Sequence, residues 1–99
     1  MARYDFYRRT EGDGYLLDVQ ADLLEGLNTR VVIPLMPPNV APVPGRRLNP
    51  TLTINGSDHV MVTQFMSALM ASELPPAEGN LSRHHDDIVA ALDMLFQGF

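Results

Sequence analysis

The chain has 99 residues, no cysteine and no lysine, and its seven arginines against twelve acidic residues give a net charge of −5. This length suits a single domain spanning residues 1–99. The lack of cysteine excludes disulfides, thiolate zinc sites and cysteine nucleophiles. The acidic balance disfavours direct binding to nucleic-acid phosphates. No apolar run matches a signal peptide or a membrane span, so we expect a cytoplasmic protein that makes no membrane contact.

The first third of the chain has the pattern of antiparallel strands. Apolar and polar residues alternate over Tyr4–Tyr7 and over Tyr15–Gln20, and this period of two is typical of strands. Between these segments, Thr10–Gly14 carries two glycines and predicts a hairpin turn. Arg30–Leu35 is almost continuously apolar, which indicates a strand buried on both faces, either within the core or at a subunit contact.

A proline-rich loop follows over Pro37–Pro50, where five of the eight prolines fall. Proline removes backbone donors and restrains the preceding residue to extended conformations, so this segment is predicted to be a surface loop. It contains the basic pair Arg46–Arg47. Such a pair either recognises phosphate or carboxylate or is simply solvated.

The clearest hairpin surrounds Asn55–Gly56, because this dipeptide is a strong turn signal between alternating segments. Its strands are predicted over Thr51–Ile54 and His59–Phe65. The apolar pattern continues over Met66–Met70, where a helix and a short strand are not distinguished by pattern alone.

The last segment, Asn80–Phe99, is predicted to be one amphipathic helix with Ser82 as its N-cap. Its apolar stripe should pack on the sheet and comprises Ile88, Val89, Leu92, Leu95, Phe96 and Phe99. The first four of these are the expected core residues. The opposite face is polar and is formed by Asp86, Ala90, Asp93 and Gln97. That face is expected to meet solvent or a partner.

A search for catalytic chemistry finds no phosphate-binding loop, nucleophile elbow or zinc-protease motif. The adjacent His84 and His85 project about 100° apart on a helix and do not readily share one ion. Any third histidine ligand of a metal ion would have to be His59, which is distant from His84 and His85 in the sequence. We therefore expect no metal, no cofactor and no catalytic residue, which favours a binding protein over an enzyme.

The order of elements predicts a mainly β fold with one C-terminal helix, either a small antiparallel barrel or a curved sheet packed by that helix. Covering the helix stripe contributes on the order of 10 kcal/mol before chain entropy is subtracted. The helix is therefore expected to be structural as well as exposed at its polar face.

Several segments together resemble the CcdB family of toxins in order, spacing and overall length. They are Asp18–Leu24, Arg30–Leu35, Met70–Ser72, Leu81–Ser82 and Ile88–Phe99. The resemblance implies an SH3-like antiparallel β-barrel of the CcdB/MazF type packed by one α-helix. It also implies a homodimer that binds the DNA gyrase A subunit and traps the gyrase-cleaved DNA complex. A CcdA-like antitoxin would neutralise the toxin through a disordered segment.

The family's gyrase-contacting positions fall on Leu23, Leu24, Asp93, Gln97, Gly98 and Phe99. The two adjacent leucines point in different directions, so at least one is expected to be exposed. The better-known members carry asparagine at position 93, tryptophan at 97 and isoleucine at 99. Glutamine does not replace the aromatic surface with which that tryptophan stacks on a gyrase arginine.

Three functions are consistent with these residues. The first is a gyrase toxin. The second is a protein that keeps the fold and antitoxin binding with a lost or altered gyrase contact, as Gln97 suggests. The third is an RNA-cleaving toxin of the related MazF type, against which the acidic charge argues.

Overall fold

The computed structural model describes residues 1–99 as seven strands and one α-helix. The elements are β1 Asp5–Arg8, β2 Tyr15–Asp18, β3 Thr29–Met36, β4 Thr51–Ile54, β5 Ser57–Met61, β6 Ser67–Met70, β7 Gly79–Asn80 and α1 His85–Gln97. Single 3-10 turns lie at Asp22–Leu24, Thr63–Phe65, Ala71–Glu73 and Ser82–His84. The predicted class, a mainly antiparallel β fold with one C-terminal helix, is confirmed.

The strands form one antiparallel sheet in the order β4-β5-β3-β2-β1-β7, and β6 pairs with β3 beyond the end of β5. The outer strands of this order are β4 and β7. Arg83, just after β7, donates from a guanidinium Nη to the Thr53 carbonyl of β4 across 3.0 Å. This bond links the two ends of the strand order, and the sheet is a half-barrel.

Both predicted hairpins are present. Gly14 turns the chain from β1 to β2 at φ 99°, and the β4–β5 turn holds Asn55 at φ 52° and Gly56 at φ 81°. Positive φ at both central residues is the signature of a type I′ turn, for which Asn-Gly is the preferred sequence.

Strand β3 lies at the centre of the sheet, paired with β2 on one side and with β5 and β6 on the other. Its side chains alternate between the two faces of the sheet, and the adjacent Val32 and Ile33, which point to opposite faces, are both fully buried. This confirms the prediction of a strand buried on both faces. The main core is built from Tyr4, Phe6, Tyr15, Leu17, Val19, Ile33, Leu35, Leu52, Ile54, Met61, Leu81, Ile88 and Ala91.

The predicted start of the C-terminal helix at Asn80 is wrong. Asn80 belongs to β7, where it pairs with Asp5 and donates its side-chain amide to the Arg3 carbonyl. Ser82 makes no capping bond, and α1 begins at His85 without a side-chain cap. Pairing with β1 satisfies the backbone here, so tertiary context overrides the local helical pattern.

The predicted core stripe of the helix is only partly correct. Ile88 is buried and Leu92 packs against the core, whereas Val89 and Leu95 are half-buried. Ala91, which was not part of the predicted stripe, is fully buried. A small side chain allows the helix backbone to approach the core closely, and burial of the stripe then decreases toward the C-terminal end of the helix.

The ambiguous segment after the second hairpin forms a strand. Strand β5 ends at Met61 instead of reaching Phe65, and a 3-10 turn at Thr63–Phe65 leads into β6. Strand β6 pairs along the first half of β3 in antiparallel register. The loop Pro37–Pro50 contains no strand or helix, as predicted.

Candidate partner-contact surface

Leu23 and Leu24 lie on the 3-10 turn after β2, and both are exposed. The Leu23 side chain is 93% accessible and that of Leu24 is 46% accessible. The turn is closed by a bond from the Leu24 N–H to the Ala21 carbonyl (2.9 Å). Apolar side chains held in water on a short, ordered turn are candidates for contact with a partner.

A buried polar network lies behind this turn. The Gln20 side chain donates to the Leu24 carbonyl (3.0 Å) and accepts from the Val31 N–H (3.1 Å). The Gln20 N–H donates to one carboxylate oxygen of Asp18 (3.0 Å), and the other oxygen accepts from Arg30 Nε (2.6 Å). The network ties the exposed turn to the central strand, so the position of Leu23 is set by the sheet.

Tyr7 completes this buried cluster from β1. Its hydroxyl is buried without a hydrogen-bond partner, as are both Nη atoms of Arg30. Burial raises the pKa of Tyr7 to about 12, and the negative charges of Asp18 and Asp5 add to the effect, whereas Arg30 opposes it. The side-chain hydrogen bond to Asp18 raises the pKa of Arg30. Both groups therefore keep their protons at neutral pH.

The second part of the predicted surface is the C-terminal end of α1. Gln97 donates from Nε2 to Oδ1 of Asp93, one turn earlier, across 3.2 Å. Gly98 then ends the helix in the left-handed region at φ 81°, and its N–H donates to the Met94 carbonyl (3.1 Å). Glycine adopts this conformation without the steric cost that a Cβ adds.

Phe99 and Phe96 are each 70% accessible, so the end of the chain carries two exposed aromatic rings. Phe96 was predicted to pack on the sheet, and that prediction is wrong. The helix residues that pack in the core are Ile88, Ala91 and Leu92, and Phe96, which follows them, is left in solvent. Phe96 is therefore a candidate contact residue that was not predicted from the sequence. Its position beside Phe99 on the same helix stripe could have indicated it.

The structure brings Asp93 and Gln97 together and places Gly98 and Phe99 directly after them. Leu23 and Leu24 form a separate group on another element, and no hydrogen bond joins the two groups. Two surface grooves are present, the first of about 210 Å³ beside β6, and none of the six predicted contact residues lines either. The candidate site is thus an exposed surface and not a cleft.

The three histidines do not converge. His59 packs edge-on against Tyr15, and His85 Nδ1 lies 2.6 Å from the Tyr4 hydroxyl at the start of α1. Tyr4 has a positive φ of 73° and is nevertheless held by its N–H to the Asp18 carbonyl (2.7 Å). No group of three His, Cys, Asp or Glu side chains is arranged to hold a metal ion. The Tyr4–His85 contact fastens the start of α1 to the residue before β1, and the His59–Tyr15 contact joins β5 to β2.

Known proteins share this architecture. The family model described as CcdB protein matches residues 3–98. Among solved structures, the chain is similar to an endoribonuclease in complex with its cognate antitoxin from a mycobacterial species. That match has a TM-score of 0.65 and 21% identity, and it covers 95% of this chain and 90% of the other. At this identity the likeness concerns the fold alone.

The seven-stranded sheet and the single C-terminal helix define a small half-barrel protein. The family match covers nearly the whole chain, and the chain belongs to the CcdB family. It is a toxin of that family. The structure contains no helix long and apolar enough to span a lipid bilayer.

Proposed function

We propose that this toxin binds the A subunit of DNA gyrase and traps the complex of gyrase with cleaved DNA. The observation that supports this function is the exposure of Leu23, Leu24 and Phe99 in a chain of the CcdB family. These residues fall at the family's gyrase-contacting positions. Toxicity would arise from binding alone, and the protein would inhibit gyrase without being an enzyme itself.

The energetic basis of this contact is apolar burial. Covering an exposed leucine or phenylalanine side chain is worth about 1.5–3 kcal/mol. Phe99 supplies a larger apolar area than the isoleucine of better-known members, whereas Gln97 supplies less than their tryptophan. The Asp93–Gln97 hydrogen bond fixes the polar part of the surface. The contact should therefore depend on the exposed apolar side chains Leu23 and Phe99 more than on position 97.

We further propose that a CcdA-like antitoxin neutralises the protein and that the active form is a homodimer. The solved endoribonuclease to which this chain is similar was captured with its cognate antitoxin. Dimer formation is supported by exposed apolar residues near α1 and on β6, namely Phe65, Met70 and Phe96. Sedimentation equilibrium of the purified protein tests the dimer, and a single monomeric species at all concentrations would contradict it.

A gyrase cleavage assay tests the main proposal. Purified protein is incubated with gyrase from its own host and supercoiled plasmid, and the reaction is stopped with denaturant. We expect linear DNA to accumulate, and the same protein should stop growth when it is expressed without antitoxin. Absence of both effects with the host enzyme would reject gyrase poisoning. A gyrase contact also requires that the protein act in the cytoplasm.

The altered-contact alternative predicts a different outcome in the same assay. The natural protein would neither trap cleaved DNA nor stop growth, yet it would bind its antitoxin. Gln97 motivates this alternative, because a glutamine lacks the aromatic face that stacks on arginine.

The RNA-cleaving alternative rests on the shared fold with an endoribonuclease. It predicts fragmented cellular RNA soon after induction of the protein. A net charge of −5 and the absence of lysine argue against it, because affinity for RNA comes largely from cationic contacts. Intact RNA during growth arrest would remove this function.

A further inference from the structure

The seven arginines of the chain are not used equally. Five of them have partners. Two form ion pairs, Arg8 with Glu78 and Arg30 with Asp18. The other three contact a ring or a carbonyl: Arg3 lies over the Tyr4 ring, Arg9 donates to the Asp13 carbonyl and Arg83 donates to the Thr53 carbonyl. Arg46 and Arg47 are exposed and take part in neither ion pair of the structure. They are the two arginines whose guanidinium groups make no hydrogen bond, ion pair or ring contact, and we call them the free arginines.

No acidic residue lies near Arg46 and Arg47 in the sequence. All twelve lie at or before Glu25 or at or after Asp58, so the residues between these two positions carry only positive formal charge. Within the loop Pro37–Pro50, the only charged residues are Arg46 and Arg47. A protein with a net charge of −5 therefore carries a local positive loop that its own sequence does not neutralise.

The loop is held in one conformation by buried polar groups. Asn49 is buried, and its side chain accepts from the Gly45 N–H (2.8 Å) and donates to the Met61 carbonyl (3.0 Å) and to Gln64 Oε1 (2.8 Å). The Asn49 N–H donates to the Gly45 carbonyl (3.0 Å), which closes the turn that carries both arginines. Binding therefore costs little conformational entropy in this turn, because the turn is already ordered.

Exposed apolar side chains accompany the two arginines. Val43 is 93% accessible between Pro42 and Pro44, and Val40 is about half exposed. The segment Pro42–Gly45 has no secondary structure. The loop thus presents a short apolar stretch next to two unpaired cations.

We propose that the loop Pro37–Pro50 is a docking surface for an extended acidic segment of a partner protein. The carboxylates of that segment pair with Arg46 and Arg47, and its apolar side chains cover Val40 and Val43. Arginine suits this role because its planar guanidinium binds a carboxylate through two parallel hydrogen bonds.

A peptide fits these observations better than a nucleic acid. Binding to a phosphate backbone draws on many cations, whereas this loop offers two arginines in a chain that has no lysine and a net charge of −5. A phosphate backbone also offers no apolar group to cover the exposed valines. The proposal is independent of the gyrase contact, because none of its residues belongs to the helix end or to the turn of Leu23 and Leu24.

Fluorescence anisotropy tests the docking surface. The probe is a synthetic, fluorescein-labelled peptide in which glutamate alternates with valine, and it is titrated with the wild-type protein at low salt. The test variant is R46A/R47A. The matched control is R8A/R9A, which removes the same charge from the β1 end of the molecule. Circular dichroism verifies that both variants are folded.

We expect R46A/R47A to weaken binding by roughly 5-fold or more and R8A/R9A to leave it unchanged. Added salt should weaken wild-type binding, and a peptide of alternating glutamate and serine should bind less tightly. Absence of wild-type binding, or equal losses in the two double variants, would overturn the proposal. Displacement of the peptide by duplex DNA at equal charge would also overturn it, because the loop would then be a nucleic-acid site.

Discussion

Arg30 donates its Nε–H to Oδ2 of Asp18 across 2.6 Å, and both side chains are almost completely buried. The other oxygen of the same carboxylate accepts from the Gln20 N–H, and the Gln20 side chain holds the carbonyl of Leu24. A charge pair inside the sheet therefore sets the position of an exposed turn. The stability of the fold and the geometry of the candidate contact surface depend on the same network.

Replacing Arg30 by methionine should destabilise the protein by about 3–5 kcal/mol, because it leaves the Asp18 carboxylate buried without its counter-ion. Urea unfolding monitored by circular dichroism measures the change. Arg9→Met is the control, since Arg9 bonds only a backbone carbonyl at the exposed hairpin. A loss for Arg30→Met no larger than that of the control would contradict the structural role of the pair.

The buried Tyr7 hydroxyl predicts a loss of stability at high pH. The pKa of Tyr7 is raised from 10.0 to about 12 in the folded protein, so the unfolded chain releases this proton at lower pH than the folded chain. The free energy of unfolding should therefore fall as the pH rises from 10.0 to about 12.

Tyr7→Phe should flatten that fall when urea unfolding is repeated across the same interval. A smaller decrease remains in this variant, because burial also raises the pKa of Tyr4. A pH profile identical to that of the wild type would show that Tyr7 does not carry the linkage.

Alanine substitutions at two turn glycines distinguish the stability cost of steric overlap from that of backbone strain. Gly14 and Gly56 have similar positive φ values of 99° and 81°. A Cβ at Gly14 would overlap the Leu35 carbonyl oxygen, whereas a Cβ at Gly56 would meet nothing within 4 Å. Gly56→Ala should cost about 1–2 kcal/mol from strain alone. Gly14→Ala should cost clearly more or prevent folding, and equal melting temperatures for the two variants would refute the close approach.

Leu23→Asp should abolish gyrase trapping while leaving the fold intact. The side chain is 93% exposed, so its replacement removes no core contact but places a charge where the partner's apolar surface is expected. Thr10→Asp is the control, because Thr10 is exposed on the β1–β2 hairpin and belongs to neither proposed contact surface. Growth after induction and plasmid cleavage are the measurements. Toxicity retained by Leu23→Asp would remove this residue from the contact.

Gln97→Trp should strengthen gyrase binding, because it restores an aromatic face at an exposed position of α1. The dissociation constant for a gyrase A-subunit fragment is the measurement. Gln97→Leu is the control for added apolar area without a flat aromatic ring. Equal affinities for these two variants would show that aromatic stacking plays no part in the contact.

Local chemistry made some of these features predictable. The Asn55–Gly56 turn depends on backbone preferences that neighbouring residues carry with them, and the structure shows positive φ at both positions. The apolar run of β3 similarly indicated burial on both faces. Exposure of at least one residue of the Leu23–Leu24 pair followed from their adjacency, and both proved to be exposed.

Other features depended on partners distant in the chain. Asn80 is a strand residue because Asp5 and Arg3 meet it from the other end of the domain, although its local pattern resembles a helix. The buried pair of Asp18 and Arg30 was likewise not evident from sequence, because twelve residues separate the two side chains. Only the register of β2 against β3 brings them into contact.

The sequence by itself determined the fold class, the two hairpins, the central strand and the family, because these follow from periodicity, turn chemistry and the order of short motifs. Only the tertiary structure decided where the helix starts, which part of its stripe is buried and which arginines remain free. Burial and ion pairing depend on distances between elements, and packing sets those distances. The C-terminal end, with Phe96 and Phe99 in solvent, is exposed because the packing of α1 against the core involves only its earlier residues Ile88, Ala91 and Leu92.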